Sequence, residues 1–301
     1  MPVLNRRGFT LPELMIALVL LAVFSAGVYQ ILLNSQRTFS AQTQRIDLQQ
    51  NLRAGVTILP GEFRELDAGD SDITSMSATS ITIRAMRQLA FICTAPVLGG
   101  AGNVTFTIRQ SPFFGDRKFF QNGDSILVFW EGNPNTRSDD GWVRGAVVTE
   151  VSHACTDGSA GYQVVWGPLW NASVTNTATA ITAGSPVRGY ASLTYELWQS
   201  TSDNNYYLAQ QVGSATPQPL VGPLSGASGL TFTYYDTTGT TVTALTTQVA
   251  SIGITVRGRT TSMIRQADDP SLAYKYDSLS VRVALRNNPR CGTGSMPTRS
   301  C

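Results

Sequence analysis

The feature that most constrains this chain is a long uncharged segment near its N-terminus. Residues Leu14 to Leu33 read LMIALVLLAVFSAGVYQILL and contain no charged side chain. As a helix that rises about 1.5 Å per residue, this segment spans about 30 Å, the thickness of the hydrocarbon core of a bilayer. It is longer than the roughly 7 to 15 apolar residues of an ordinary signal peptide. The sequence therefore predicts one membrane-spanning helix.

Charged residues flank this segment on its N-terminal side. Arg6 and Arg7 precede it, and the positive-inside rule places that end in the cytoplasm and the rest of the chain on the other side of the membrane. Glu13 comes directly before the apolar run. A carboxylate in a membrane helix costs a few kcal/mol unless it is paired, so Glu13 is either a functional group with a partner or a residue solvated among the headgroups.

The helical pattern continues beyond the apolar segment. Six apolar side chains recur at spacings of three and four residues, which is one face of a helix: Leu48, Leu52, Val56, Leu59, Phe63 and Leu66. We expect this face to be core. Pro60 and Gly61 are expected to end or kink the helix, because proline removes a backbone hydrogen bond.

From Asp67 onward the pattern changes to short strands separated by turn residues, without alternating helices, which favours antiparallel sheet. The stretch Ser214 to Gly229 and the turn Asp268 to Pro270 are expected to be loops. The predicted strands are Ser80 to Arg84, Val104 to Arg109, Ser125 to Trp130, Val143 to Val151, Tyr190 to Trp198, Tyr206 to Val212, Leu230 to Tyr235, Ser251 to Val256 and Ser280 to Leu285.

The run Arg6 to Leu14, RRGFTLPEL, resembles the start of a type IV prepilin: basic residues, Gly, a cleavage point, Phe, three residues, Glu and about 20 apolar residues. The resemblance implies that a prepilin peptidase cuts after Gly8 and methylates the amino group of Phe9. It also implies that Glu13 serves assembly, since the freed amine of Phe9 can pair with Glu13 of a neighbouring subunit. Glycine suits the cleavage position because a side chain there would obstruct the peptidase. Pro12 is tolerated in a first helical turn.

Further segments are similar to minor pilins of the PilW type and to J-type pseudopilins of type II secretion. They are Leu48 to Ala54 with Phe63 to Gly69, and Gly229 to Tyr235 with Val249 to Arg257 behind it. The implied fold is α+β and type IV pilin-like, with a long N-terminal helix packed on a large antiparallel β-sheet domain of one or two sheets. The expected segments are a leader over 1–8, a transmembrane half of the helix over 9–33, an amphipathic half over 34–66 and a β-rich globular domain over 67–301.

Four cysteines follow the membrane segment, on the side where an oxidising compartment would let them pair. Short loops lose least chain entropy on closure, so Cys291 with Cys301 and Cys93 with Cys155 are the favoured pairs among three connectivities. A metal site built from all four cysteines is the alternative, although no CxxC spacing is present.

Composition argues against catalysis. The chain has a single histidine, His153, so a Cys-His site would have to pair it with Cys155, and no third residue to orient them is evident. The carboxylate pairs Asp70 with Asp72, Asp139 with Asp140 and Asp268 with Asp269 could contact Ca²⁺, but none completes an EF-hand spacing and each is expected to be a solvated turn. Aromatic residues that either fill the core or line a partner surface are Trp130, Trp142, Trp166, Trp170, Trp198, Tyr206 and Tyr207.

The sequence thus predicts a structural protein that is not an enzyme and holds neither a cofactor nor a metal ion. Removing Arg6 and Arg7 with the leader leaves 20 basic side chains against 20 acidic ones, so net charge predicts no nucleic-acid partner. The resemblance implies a minor pilin in the inner membrane, its globular domain in the periplasm, that later joins a pilus on the cell surface. Its implied partners are prepilin peptidase, other minor and major pilins and the pilus assembly platform. The alternatives are a type II secretion pseudopilin and, in another class, a signal-anchored exported enzyme or adhesin.

Overall fold

The computed structural model describes residues 10–98, 102–131, 141–168, 181–242, 244–265 and 271–286. Within them the chain forms one long helix, α1 (Leu11–Phe63), followed by fifteen strands and a short 3-10 turn (Thr246–Gln248). The strands are β1 (Ile73–Met76), β2 (Ser80–Leu98), β3 (Val104–Arg109), β4 (Phe114–Gly115), β5 (Ser125–Trp130), β6 (Gly141–Ala154), β7 (Ala160–Pro168), β8 (Pro186–Gln199), β9 (Tyr206–Val212), β10 (Gln218–Val221), β11 (Leu230–Tyr235), β12 (Ser251–Arg259), β13 (Ile264–Arg265), β14 (Leu272–Ala273) and β15 (Tyr276–Ala284).

The helix is one continuous element in which only the C-terminal half is buried. Thr10 precedes it in an extended conformation, and Pro12 lies in the first turn, where its missing N–H costs nothing. Pro60 and Gly61, which were expected to end or kink the helix, do not end it themselves: the helix continues to Phe63, and the Arg64 N–H donates to the Pro60 carbonyl oxygen. Proline removes a single backbone hydrogen bond from the last turn. Complete burial of the Leu59 and Phe63 side chains stabilises the fold by about 2 kcal/mol each, which offsets that loss.

Most strands belong to one large antiparallel sheet that closes on itself. Its order is β1-β2-β3-β7-β6-β5-β8-β9-β10, β4 pairs with β2, and a further pairing joins β2 to β8. Strands β2, β3, β7, β6, β5 and β8 therefore form a closed circuit, here called the six-stranded ring. At the closure Ile81 faces Tyr195 and Phe91 faces Pro186, and the hydroxyls of Thr82 and Thr194 lie 2.9 Å apart. The large sheet therefore closes into a ring.

Two small sheets complete the β-rich part. Strands β11, β12 and β15 form a three-stranded antiparallel sheet against the helix, and β13 pairs with β14 as a short hairpin. Gly258 on β12 lies directly beneath the helix, since a Cβ there would be 2.8 Å from Leu48 Cδ1 and 3.2 Å from Leu52 Cδ2. The absence of a side chain at this position permits the close approach of helix and sheet.

The buried side chains form two cores that share strands. The helix-sheet core joins the apolar face of α1 to both sheets, and the Phe63 ring contacts Tyr195 and Phe232 edge-on at 5.8 and 6.0 Å between ring centres. The ring core fills the six-stranded ring around Trp166 and Phe106. The helical face predicted from the sequence is confirmed: Leu48, Leu52, Leu59, Phe63 and Leu66 are buried, and Val56 packs against them.

The predicted strands are present, with longer bounds for several of them. Strands β3, β5, β9 and β11 have the predicted limits, whereas β2 continues to Leu98 and β15 begins at Tyr276 and ends at Ala284. The stretch Ser214 to Gly229, expected to be a loop, contains β10 (Gln218–Val221), so that expectation is wrong in part. Strand β7 was missed because Gly161, Gly167 and Pro168 resemble turn residues in the sequence. Asp268 to Pro270 lies outside the described residues.

Candidate functional site

The N-terminal end of α1 carries the group that the sequence singles out for assembly. Glu13 lies in the first turn, where a negative charge interacts favourably with the positive end of the helix dipole. Its side chain is exposed. Gly8 and Phe9, the predicted cleavage and methylation positions, lie outside the described residues. Glu13 is therefore available to a partner that approaches the free end of the helix.

The first half of α1 is apolar on every side and covered by nothing in the described part of the chain. It contains the only helix segment there that is long and apolar enough to cross a membrane. Large side chains along its length, including Met15, Leu20, Phe24 and Ile31, are each about 60–70% exposed. Such a surface is stable only in lipid or against other apolar helices. The free half of the helix is therefore an anchor or an assembly surface.

Polar contacts fix the second half of α1 to the β-rich part at three heights. The Gln44 carboxamide oxygen accepts hydrogen bonds from the Thr261 hydroxyl and from the Thr261 and Ser262 N–H groups, at 2.6, 3.1 and 3.2 Å. Asn51 donates to the Gly222 carbonyl oxygen at 3.2 Å. Near the helix end, Glu62 pairs with Arg87 of β2 at 3.2 Å to both carboxylate oxygens. These contacts fix the direction in which the free half projects.

A charged cleft of about 360 Å³ lies where the end of α1 meets the six-stranded ring. Four arginines line its walls: Arg84, Arg87, Arg188 and Arg286. The other polar side chains of the walls are Glu62, Glu65, Asp72 and Tyr190. Several of these arginines already have partners, since Arg87 pairs with Glu62 and the Arg188 guanidinium stacks over the Trp142 ring at 4.1 Å. Sequence reasoning missed the cleft because no local motif connects residues that lie 200 positions apart.

Asp72 is the buried carboxylate of this cleft, so the expectation that it lies in a solvated turn is wrong. Burial raises the pKa of Asp72 to about 6, and the nearby negative charges of Asp67 and Asp70 act in the same direction. The Asp67 N–H, which donates to Asp72 Oδ2 at 2.9 Å, partly opposes that shift. Asp70 and Asp72 thus belong to a folded turn after the helix, as the Asp70 N–H also donates to Asp67 Oδ1 at 3.2 Å.

No metal-binding geometry is present in the part of the chain that the structure describes. There, no group of three or more His, Cys, Asp or Glu side chains is placed to hold a metal ion. Asp139, Asp140, Asp268 and Asp269 lie outside the described residues.

The structure joins Cys93 to Cys155 in a disulfide, with 5.6 Å between their Cα atoms. It links β2 to the turn between β6 and β7, across the ring, and both residues are buried. A disulfide sulfur is not a nucleophile, and His153 is exposed with its Nδ1 2.8 Å from the Ala154 carbonyl oxygen. The Cys155 and His153 pair considered from the sequence is therefore not a catalytic site in this state. Cys291 and Cys301 lie outside the described residues.

The aromatic residues divide between the core and the surface. Trp166 is fully buried in the ring core, and Trp130 packs against that core. Trp198, Tyr206 and Tyr207 are half-buried, and the rings of Trp198 and Tyr207 lie 6.2 Å apart. Trp170 lies outside the described residues. The described aromatic residues thus both fill the ring core and lie half-buried at the surface.

Comparison with known proteins identifies the N-terminal segment. Residues 4–29 match the family model described as the prokaryotic N-terminal methylation motif. No curated protein matches the chain significantly. No solved structure does so either. The matched residues cover the basic leader, the predicted cleavage point, Glu13 and most of the apolar half of the helix. Together with a long apolar helix packed on a large antiparallel sheet, this motif indicates that the chain is a prokaryotic prepilin-type protein, a pilin or a pseudopilin.

Proposed function

We propose that this chain is a minor pilin of the PilW type that primes or tips a type IV pilus. A prepilin peptidase cleaves it after Gly8 and methylates Phe9, and the apolar half of α1 then holds it in the inner membrane with the globular part in the periplasm. There it joins other minor pilins at the assembly platform. It performs no chemistry itself. The observation that carries the proposal is the methylation motif over residues 4–29, which runs into a helix whose exposed apolar half projects from a folded domain.

The size of the folded part supports a position at the end of a filament. The helix-sheet core already covers the buried face of α1, yet the chain adds a six-stranded ring with a core of its own. In a helical filament each subunit is surrounded by neighbours above and below, so a bulky addition is accommodated most easily where one side has no neighbour. A priming or tip subunit occupies such a place.

Processing is tested at Gly8. Replacing Gly8 with valine is expected to abolish cleavage, because a branched side chain cannot enter a peptidase site shaped for glycine. Mass spectrometry of the N-terminus would show the uncut leader in the variant and a methylated Phe9 in the wild type. Gly27→Ala is the matched control, since no atom lies within 4 Å of a Cβ at that position. Normal cleavage of Gly8→Val would contradict the proposal.

The number of surface filaments and the location of the chain on them distinguish a type IV pilus subunit from a type II secretion pseudopilin. If the chain primes a pilus, its deletion reduces the number of surface filaments strongly while the remaining filaments keep their length. Immunogold labelling of the wild type places it at filament ends. A deletion strain with normal filaments that fails to secrete folded proteins would instead identify a type II secretion pseudopilin.

A further inference from the structure

The hairpin formed by β13 and β14 is held rigidly beside the helix. Gln44 of α1 accepts three hydrogen bonds from the turn that precedes β13. Thr260, which is buried, joins the two ends of the hairpin, since its N–H donates to the Lys275 carbonyl oxygen at 2.9 Å and its hydroxyl accepts from the Lys275 N–H at 3.1 Å. We call residues 260–265 and 271–275 the membrane-proximal hairpin. Its position relative to the helix axis is therefore fixed.

This hairpin stands at the height where the membrane segment ends. A groove of about 770 Å³ separates it from α1, with Leu33 and Arg37 on the helix wall and Met263, Arg265 and Leu272 on the hairpin wall. Leu33 ends the uncharged segment, and Arg37 is the first charged residue after Glu13. Four residues of helix rise about 6 Å, which is close to the thickness of one headgroup layer. Residues that share a groove with Leu33 and Arg37 therefore lie near the lipid headgroups.

The exposed chemistry of this region matches a phospholipid surface. Met263 and Leu272 are 51% and 60% exposed, and both face away from the cores. Arg37, Arg45 and Arg265 line the same groove, and none of the three forms a salt bridge with the residues that the structure describes. Apolar side chains beside unpaired arginines are typical of interfacial segments, since the apolar groups enter the acyl boundary while the guanidinium groups bind phosphates.

We propose that the membrane-proximal hairpin rests on the bilayer surface, with Arg37 and Arg265 bound to phospholipid headgroup phosphates and with Met263 and Leu272 inserted among the headgroups. The contact gives the globular part a second point of attachment beside the helix and holds it in one orientation before the subunit leaves the membrane. The inference rests on the membrane-spanning helix of the proposed function, but not on cleavage or on filament entry.

The test measures how deeply the hairpin lies in the bilayer. The full chain with Cys291→Ser and Cys301→Ser keeps the Cys93–Cys155 disulfide and accepts a spin label at Leu272→Cys. The labelled protein is incorporated at one copy per nanodisc of phosphatidylethanolamine and phosphatidylglycerol. The collision rates of the spin label with dissolved oxygen and with a water-soluble nickel chelate are then measured and compared. The matched control is Leu245→Cys, an exposed leucine of similar accessibility beside the 3-10 turn, toward the far end of the sheet. We expect an oxygen-to-nickel ratio several-fold higher at 272 than at 245.

Charge variants test the phosphate contacts separately. Arg37→Gln together with Arg265→Gln is expected to lower the ratio at 272 severalfold, whereas Arg144→Gln, exposed on β6, is expected to leave it unchanged. A ratio at 272 no higher than at 245, or one that the double variant does not alter, would overturn the proposal and leave this surface to a protein partner. Failed cleavage after Gly8 or failed filament entry would contradict the proposed function and leave these ratios unaffected.

Discussion

At the scale of single residues, Glu13 is a charge at the exposed end of an apolar helix. Its side chain is exposed in the first turn of the helix and forms no salt bridge with the residues that the structure describes. Two apolar helices packed side by side would hold a Glu13 carboxylate and a Phe9 amine in a medium of low dielectric constant, where removal of one partner is costly. The function of Glu13 is therefore expected to be in assembly.

Glu13→Ala is predicted to leave cleavage and membrane insertion nearly intact and to abolish entry into the filament. The measurement compares the processed, membrane-held fraction with the filament-incorporated fraction in a strain that contains the other pilins. Glu65→Ala, at the opposite end of the helix region, serves as a control for loss of one carboxylate. Incorporation of Glu13→Ala at the wild-type level would mean that Glu13 is a solvated residue at the membrane edge.

Asp72 gives a prediction about pH. Because burial raises the pKa of Asp72 to about 6 from an ordinary value of 3.8, the folded protein holds a proton that the unfolded chain releases between those values. The contribution of Asp72 to stability is thus fully present below pH 4 and is lost as the pH rises through 6. Asp72→Asn keeps an oxygen to accept from the Asp67 N–H and removes this titration.

The stability of Asp72→Asn relative to the wild type is therefore predicted to grow between pH 4 and 6 and to level off above pH 6, at about 3 kcal/mol. Denaturant midpoints of the detergent-solubilised chain at several pH values provide the measurement. Asp277→Asn, an exposed carboxylate on β15, is the control. A difference between Asp72→Asn and wild type that does not change with pH would contradict the assignment.

At the scale of elements, closure of the six-stranded ring depends on a glycine. A Cβ at Gly145 of β6 would overlap Trp166 Nε1 and the Gly167 carbonyl oxygen, and it would lie 2.8 Å from Pro168 Cα. Strand β7 is hydrogen-bonded to β3 on its other side as far as Trp166, which limits how far its backbone can move away. Strands β6 and β7 therefore require a residue without a side chain at this position.

Gly145→Ala is predicted to destabilise the protein by about 2–3 kcal/mol through overpacking. Gly167→Ala on the neighbouring strand is the matched control, since its added Cβ meets no atom nearer than 3.5 Å and is expected to be close to neutral. Chemical denaturation of both variants measures the difference. Equal stability of the two variants would show that the ring tolerates a side chain at Gly145.

The sequence predicts elements well where a pattern is local. The helical face and strands such as β3 and β11 follow from spacings of three to four and of two residues within short windows. Closure of the ring does not follow from them, since Ile81 and Tyr195 are separated by more than 100 positions and their pairing depends on packing alone. The same reason hides the charged cleft, while Glu13 was found because its motif is contiguous.

At the scale of the whole molecule, two strands connect the two cores. Strand β2 contributes Ile81 and Ile83 to the helix-sheet core and Ile92 to the ring core, and β8 contributes Tyr195 to the former and Val187 to the latter. Loss of either core would leave half of each strand without its packing. The globular part is therefore expected to unfold as one cooperative unit.

Hydrogen exchange at increasing denaturant concentration is predicted to give the same free energy of opening for peptides from β7 in the ring and from β12 against the helix. Mass spectrometry of the detergent-solubilised chain provides the measurement, and peptides from the 3-10 turn serve as a control for local opening. A lower opening energy for β12 than for β7 would show that the helix-sheet core opens while the ring remains folded.

Ring closure also affects how readily membrane-anchored copies of this chain aggregate with one another. Strands β3, β5, β6 and β7 each have a hydrogen-bonded neighbour on both sides over part of their length, so those stretches offer no unpaired backbone to another copy. Unpaired strand edges are the usual starting points of aggregation. Copies anchored in the same bilayer diffuse in two dimensions and hold their strands at the same distance from the membrane. They therefore collide often before they are assembled. The paired stretches of the ring thus give each copy fewer backbone edges at which intermolecular sheets could start.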